Sequence, residues 1–265
     1  MLGIFDSGLG GLTVLRAVRE RLPREDLVYL ADQAHVPYGD RPASELRRLL
    51  ADNVAFLEGA GVDAVVMGCN TSCAVAARFG WPASRVPILD LIEAAADAVA
   101  ASGARRVGVI ATTATARSGA YGAAIRARLP QAVVEEVAAP ALVPLVEAGV
   151  LAGPIARSAV AAACARFTPE LDALVLACTH YPLLDPVFAA VLGANVSRID
   201  PALAQSERAV AFAAARGAAR GESGRTRYVT TGPLEPFREA LRALAGPPGP
   251  GDEILGDSLA RVPGA

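Results

Sequence analysis

Nine short apolar runs, most of them separated from the next by a segment of helical character, extend from one end of this chain to the other, and they fix the class of fold it can adopt. The runs are 2–6, 27–31, 63–68, 86–89, 106–111, 132–137, 172–177, 195–199 and 227–231, and the helical segments are 12–22, 43–59, 91–101, 115–129, 154–167, 201–220 and 235–244. In the first helical segment Leu12, Leu15 and Val18 share one face, Arg16, Arg19 and Glu20 point elsewhere, and Pro23 ends the run. Strands alternating with helices predict βαβ units and mainly parallel sheets. The Gly-Pro-rich stretch after Ala245 reads as a loop or a frayed end.

One heptapeptide occurs nearly twice. Asp63-Ala64-Val65-Val66-Met67-Gly68-Cys69 aligns without gaps on Asp172-Ala173-Leu174-Val175-Leu176-Ala177-Cys178, 109 residues later, with four of seven positions identical. A weaker echo sets Gly3-Ile4-Phe5-Asp6-Ser7 beside Gly108-Val109-Ile110-Ala111-Thr112. The two echoes predict two α/β halves built to one plan. They also place a cysteine at the same exit from the same strand in each half.

In parallel α/β sheets ligands gather at the carboxyl ends of strands, where helix N-termini offer positive partial charge. Cys69 leads into Asn70-Thr71-Ser72, and Cys178 into Thr179-His180. Such surroundings suit a carboxylate and favour thiolate over thiol. A free thiol ionises with a pKa of about 8.5, and lowering it by about 1.5 pH units takes roughly 2 kcal/mol. Two thiols, one from each half, suit inversion of a stereocentre: one removes a proton from one face of a carbon, and the other returns a proton to the opposite face. Each sulfur would then lie about 3–3.5 Å from that carbon. The competing readings are two small core residues, or a zinc site drawing on Cys69, Cys73, Cys178 and His180. Only two histidines, His35 and His180, and no paired CxxC motif speak against zinc. Cys73 and Cys164 read as core.

The loop Asp6-Ser7-Gly8-Leu9-Gly10-Gly11 follows the first strand. Its glycines permit positive φ and close approach of the main chain to a ligand. It does not complete G-x-G-x-x-G, and the Asp6 carboxylate would repel a pyrophosphate, so a dinucleotide reading is poor. Asp6 is better suited to holding a substrate ammonium or to taking a proton. Its structural alternative is a helix-start residue.

Composition removes several mechanisms. All 25 basic residues are arginine, so neither a pyridoxal phosphate Schiff base nor a Walker A lysine is available. A net charge of −2 leaves no electrostatic footprint for nucleic acid. The apolar stretch 138–156 contains Glu147 and three prolines, which argues against a membrane span, and the first residues lack the pattern of a signal peptide. Four cysteines without a secretion signal read as reduced thiols of a cytoplasmic enzyme.

These motifs together resemble the glutamate racemases, the cofactor-independent members of the aspartate/glutamate racemase superfamily. The resemblance is carried by GIFDSGLGGLTVL, LADQAHVPYG, GCNTSCA, VGVIATTATARSGAY, APALVPLVEAG and LACTHYPLL, in family order from residue 3 to about residue 200. It implies interconversion of L- and D-glutamate without cofactor or metal, supplying D-glutamate for peptidoglycan. Cys69 and Cys178 would be the acid/base pair, assisted by Asp6 and His180 respectively. Asp6, Ser7, Tyr38, Gly39, Asn70, Thr71, Thr115, Thr179 and His180 would surround the substrate, with Glu147 near its amino group or the second thiol. The implied fold is two similar α/β domains, mainly parallel sheets flanked by helices, with the active site in the cleft between them. The first domain would comprise 1–92 plus 201–265 and the second 93–200. Two departures stand out: Ala139 precedes Pro140 where many relatives have cysteine, and Cys73 is an additional thiol. A racemase for aspartate or another small chiral acid, and a non-catalytic two-lobed amino-acid sensor, are the alternatives. The expected partner is a small molecule, with no nucleic acid or membrane, and a homodimer stays open.

Overall fold

The computed structural model describes residues 1–168, 170–217 and 223–256. In chain order the elements are β1 Leu2–Asp6, α1 Leu12–Arg21, β2 Leu27–Ala31, α2 Ala43–Gly59, β3 Ala64–Met67, α3 Asn70–Phe79, β4 Ile88–Leu89 and α4 Leu91–Ser102. There follow β5 Arg106–Ala111, α5 Thr113–Ser118, α6 Ala120–Arg128, β6 Val133–Ala138, α7 Leu142–Glu147, α8 Gly153–Cys164 and β7 Ala173–Ala177. The chain continues through α9 Asp185–Leu192, β8 Ser197–Ile199, α10 Pro201–Arg216, β9 Thr226–Thr230, α11 Leu234–Leu244 and β10 Glu253–Gly256. Short 3-10 turns occupy Gln33–His35, Tyr38–Asp40 and Tyr181–Leu184.

Two compact units result, one of Met1–Leu91 with Gln205–Ala265 and one of Ile92–Ala204. The first is built on a six-stranded sheet in the order β10-β9-β2-β1-β3-β4, the second on a four-stranded sheet in the order β6-β5-β7-β8. Every pairing is parallel. Strands β1, β2, β3 and β7 are buried at every residue, which is why they read as unbroken apolar runs rather than alternating ones. The order β2-β1-β3-β4 repeats as β6-β5-β7-β8, so the strands linked by the sequence echoes, β1 with β5 and β3 with β7, hold equivalent places.

Register fixes what the strands deliver. Phe5 of β1 pairs with Met67 of β3, and Asp6 pairs with Ala31 of β2. Asp6, Asp32 and Gly68-Cys69 therefore leave the first sheet at one end. In the second unit Ala111 of β5 pairs with both Ala138 of β6 and Ala177 of β7, so Thr112, Ala139 and Cys178 emerge together. The fully buried Tyr181 donates its hydroxyl to Ala139 O (2.8 Å) and Ala111 O (3.2 Å), stitching the ends of β5 and β6.

Several expectations need correction. The predicted helix 115–129 is two helices, because Gly119 at φ +66° caps α5 and begins α6. Helices α3, α7 and α9 lie in stretches whose prolines, or whose short polar starts, masked their periodicity. The apolar stretch 138–156 contains α7 and the start of α8, and no helix among the described residues is long and apolar enough to cross a membrane. The tail after Ala245 is not simply frayed: β10 adds an edge strand through Leu255↔Val229. Of the predicted helix 201–220, residues 218–220 lie outside the described residues.

Candidate active site

In the first unit Cys69 follows β3 and is the N-cap of α3. Its sulfur accepts from Ser72 N (3.5 Å), and its thiol donates to Ser7 Oγ (3.5 Å). Asp6, at the end of the neighbouring β1, is buried, and its Oδ2 accepts from Gly8 N (3.0 Å) and Gly11 N (2.9 Å). The glycines of this loop act differently from expectation, since neither Gly8, Gly10 nor Gly11 has positive φ. What Gly11 supplies is room: a Cβ there would sit 2.3 Å from Asp6 Cβ. Tyr29 closes the loop from beneath by donating to Gly8 O (3.0 Å).

The Cys69 thiol is pushed above its ordinary value, first by burial and then by the Asp6 charge, against the lowering from Ser7 and Ser72. The helix-start environment was expected to favour thiolate. Desolvation of a buried sulfur beside a carboxylate outweighs that effect, and Cys69 rests as a thiol.

Asn70 and Thr71 form the buried first positions of α3, next to Cys69. Tyr38 is buried as well, and its hydroxyl donates to Asp32 Oδ2 (2.6 Å). Gly39 follows in the same 3-10 turn, where a Cβ would meet nothing within 4 Å. The first unit thus brings Asp6, Ser7, Cys69, Asn70 and Thr71 to one sheet end, and holds Tyr38 and Gly39 on the turn after β2.

The second unit holds the other set. Cys178 is buried at the end of β7, with its sulfur 3.7 Å from His180 Nδ1. The far nitrogen of that imidazole, Nε2, lies 3.6 Å from Glu147 Oε1 at the end of α7. Thr179 lies between Cys178 and His180 and is half-buried. Thr115, fully buried in α5, accepts from Thr112 Oγ1 (3.1 Å), which places a hydroxyl pair after β5, the strand beside β7. A thiol, an imidazole and a carboxylate thus follow one another at 3.7 Å and 3.6 Å, three groups of a kind that can hold or exchange a proton.

Sequence reasoning missed Asp32, His35, Asn53 and Thr231, which form one hydrogen-bonded group around the buried Asp32, with His35 and Thr231 half-buried. A signal was present: Asp32 ends the apolar run Leu27–Ala31 as Asp6 ends Leu2–Phe5. Among the described residues no three His, Cys, Asp or Glu side chains converge as a metal site. None of the four cysteines is in a disulfide among the described residues.

Comparison with known proteins places these clusters in context. A profile of the Asp/Glu/Hydantoin racemase family matches residues 12–209. The glutamate racemase of Gloeobacter violaceus is 47% identical over 205 residues, 77% of each chain, and that of Desulforudis audaxviator is 40% identical over 255 residues, 92% of this chain and 93% of the other. Among solved structures, glutamate racemase RacE1 from Bacillus anthracis superposes with a TM-score of 0.88 at 29% identity, covering 96% of both chains. The Francisella tularensis glutamate racemase in complex with D-glutamate gives 0.83 at 29% identity, covering 96% of this chain and 95% of that one. A profile match over most of the length, relatives of this identity and the same arrangement of strands establish that the chain belongs to the Asp/Glu/Hydantoin racemase family and, within it, to the glutamate racemases.

Proposed function

We propose that this racemase interconverts L- and D-glutamate by two-base proton transfer at Cα, with Cys69 and Cys178 as the acid/base groups and no cofactor. The observation that carries the reading is the equivalence of the two thiols. Each is a buried cysteine at the carboxyl end of an equivalent central strand, and each has its own ionisable neighbour, Asp6 near Cys69 and His180 beside Cys178. Two core cysteines would need neither the strand-end position nor those neighbours.

One sulfur, as thiolate, takes the Cα proton. The Cα–H bond breaks, an S–H bond forms, and the electron pair is delocalised into the adjacent carboxylate. The other thiol gives its proton to the opposite face, so a Cα–H bond forms as that S–H breaks. After one turnover the two sulfurs have exchanged protonation states, and proton exchange with solvent or the return reaction resets them. Burial first, and then the Asp6 charge, raise the Cys69 thiol in the resting chain. A substrate ammonium beside Asp6 offsets that charge and eases ionisation of Cys69 at the moment substrate is present. His180, in line with Glu147, holds or supplies the proton that Cys178 exchanges.

Ser7, Asn70, Thr71, Thr115 and Thr179 supply hydroxyl and amide groups for the substrate carboxylates, with the Tyr38-Gly39 turn beside them. The product D-glutamate would serve peptidoglycan assembly in the cytoplasm, where thiols stay reduced. Incubation of either enantiomer in deuterated water should place deuterium at Cα of the product, followed by mass spectrometry and circular dichroism. Cys69→Ala and Cys178→Ala should each abolish racemisation, and full activity surviving in both variants would reject the mechanism.

A further inference from the structure

The turn that carries Tyr38 and Gly39 is fastened by a single buried charge. Asp32 directly follows β2 and is 0% exposed. Its Oδ1 accepts from His35 Nδ1 (2.8 Å) and Thr231 Oγ1 (2.9 Å). Its Oδ2 accepts from Tyr38 Oη (2.6 Å) and, at 3.4 Å, from Asn53 Nδ2. The donors come from four places: the turn after β2, the Tyr38 turn, the middle of α2, and the residue that follows β9, 199 positions along the chain.

The attachments do not end there. Asn53 Nδ2 also donates to Tyr38 Oη (3.2 Å). Thr231 Oγ1 accepts from Ala34 N (2.9 Å), and Asp32 N donates to Asp6 O (3.0 Å). The Tyr38 ring packs on Phe5, one residue before Asp6, with ring centroids 6.4 Å apart. Residues 32–39 are thereby tied to β1, α2 and the end of β9.

Burying a carboxylate costs more than burying a hydrocarbon of similar size, and a buried ionic group is weak evidence for a purely stabilising role. Here the charge sits at the sheet end that bears Asp6 and Cys69, and its shortest hydrogen bond goes to Tyr38. We infer that Asp32 is a positioning residue for substrate binding, whose carboxylate holds the Tyr38-Gly39 turn in register with Asp6, with Thr231 of the C-terminal segment as its distant anchor. The inference rests on the proposed glutamate racemisation and on the turn meeting the substrate. Asp32 acts on binding through the turn and takes no part in proton transfer.

The test compares Asp32→Asn, Thr231→Val and Gly39→Val in the full chain, by circular dichroism assays with both enantiomers. Asp32→Asn should raise KM by about tenfold or more for L- and D-glutamate alike, with kcat within about threefold of wild type. Thr231→Val, which removes one hydroxyl and keeps the side chain's shape, should raise KM by about threefold in the same pattern. A merely structural role would instead lower the thermal midpoint and the active fraction, reducing kcat at unchanged KM. Gly39→Val projects into open space, so it should fold and raise KM if the turn meets substrate.

A raised KM in Gly39→Val with wild-type KM in the other two overturns the role of Asp32 alone. Wild-type KM in Gly39→Val overturns the placement of the turn, and the role of Asp32 with it. A fall in kcat at unchanged KM in Asp32→Asn overturns the inference as well. Should Asp32→Asn fail to fold, an unchanged KM in Thr231→Val has the same force. A wild-type chain that does not racemise glutamate overturns the functional reading and this inference together.

Discussion

Removing one oxygen atom, in Tyr181→Phe, tests how the second unit holds its strand ends next to Cys178. The hydroxyl reaches Ala139 O at 2.8 Å and Ala111 O at 3.2 Å, but it has only one proton to give, and the shorter contact takes most of it. Neither carbonyl is orphaned by the change. Ala139 O still accepts from Leu142 N (3.1 Å), and Ala111 O still accepts from Ala139 N (2.8 Å). The cost is therefore the net value of one neutral hydrogen bond, about 1 kcal/mol, and not the larger penalty of a stranded buried acceptor. Burial and the nearby Cys178 push the Tyr181 phenol up, so its proton stays in place throughout the working range and the result should not depend on pH. With about 2.1 cal/mol/K of unfolding entropy per residue, 1 kcal/mol in a unit that spans Ile92–Ala204 corresponds to a fall of about 4 °C in the unfolding midpoint. Differential scanning calorimetry of both chains, with urea titration at fixed pH, measures it. A loss above about 3 kcal/mol would mean that a carbonyl had been left without a partner, and no loss would mean that the hydroxyl is not donated as described. Either result refutes the accounting.

Three further outcomes follow from the geometry. Gly11→Ala puts a Cβ 2.3 Å from Asp6 Cβ and 2.8 Å from its Cγ, so Asp6 must move, and kcat/KM should fall by about 100-fold while the chain stays folded. Asp6→Asn removes the second-largest cause of the raised Cys69 pKa, so the midpoint for iodoacetamide labelling of the Cys69 peptide should move to lower pH; an upward move or none contradicts the assignment. Burial pushes the Cys164 thiol up from 9.0 to about 11, so between those values the folded chain keeps a proton that the unfolded chain has lost. This contribution to stability is fully present below pH 9 and is lost as pH rises toward 11, by about 1.4 kcal/mol at pH 10. Urea titrations across that range should show a flatter alkaline loss in Cys164→Ala than in wild type.

Much of the fold was legible because parallel strands buried on both faces must be apolar throughout. The runs at Leu2–Asp6, Leu27–Ala31 and Arg106–Ala111 have the ends that sequence assigned them. The echo of residues 63–69 in 172–178 located two equivalent strands because the cysteines stand at the same exit from each. What escaped was governed by contacts distant in sequence. Strand β10 is an edge element held by pairing with β9, and its Glu-Ile-Leu-Gly stretch has no apolar run to announce it. The break between α5 and α6 depends on one glycine adopting positive φ, and composition does not show which glycine will do so. Asp32 was passed over for the same reason: its donors lie 3, 6, 21 and 199 residues away, and no local spacing predicts that they meet.

The expectation for Cys69 erred in an instructive direction. A helix N-terminus does favour an anion, and the Ser72 N contact to the sulfur is that effect made visible. The field of a helix end is worth up to about 2 kcal/mol in partly buried settings, whereas burial of the sulfur and a neighbouring carboxylate both act against ionisation. Position at a helix end was readable from sequence; the depth of burial and the placement of Asp6 were not. Burial is the larger cause of the raised thiol and stays in place, but a cationic group that neutralises Asp6 removes the second cause and lowers the thiol part of the way. In the proposed reaction Asp6 would then link ionisation of Cys69 to arrival of the amino acid.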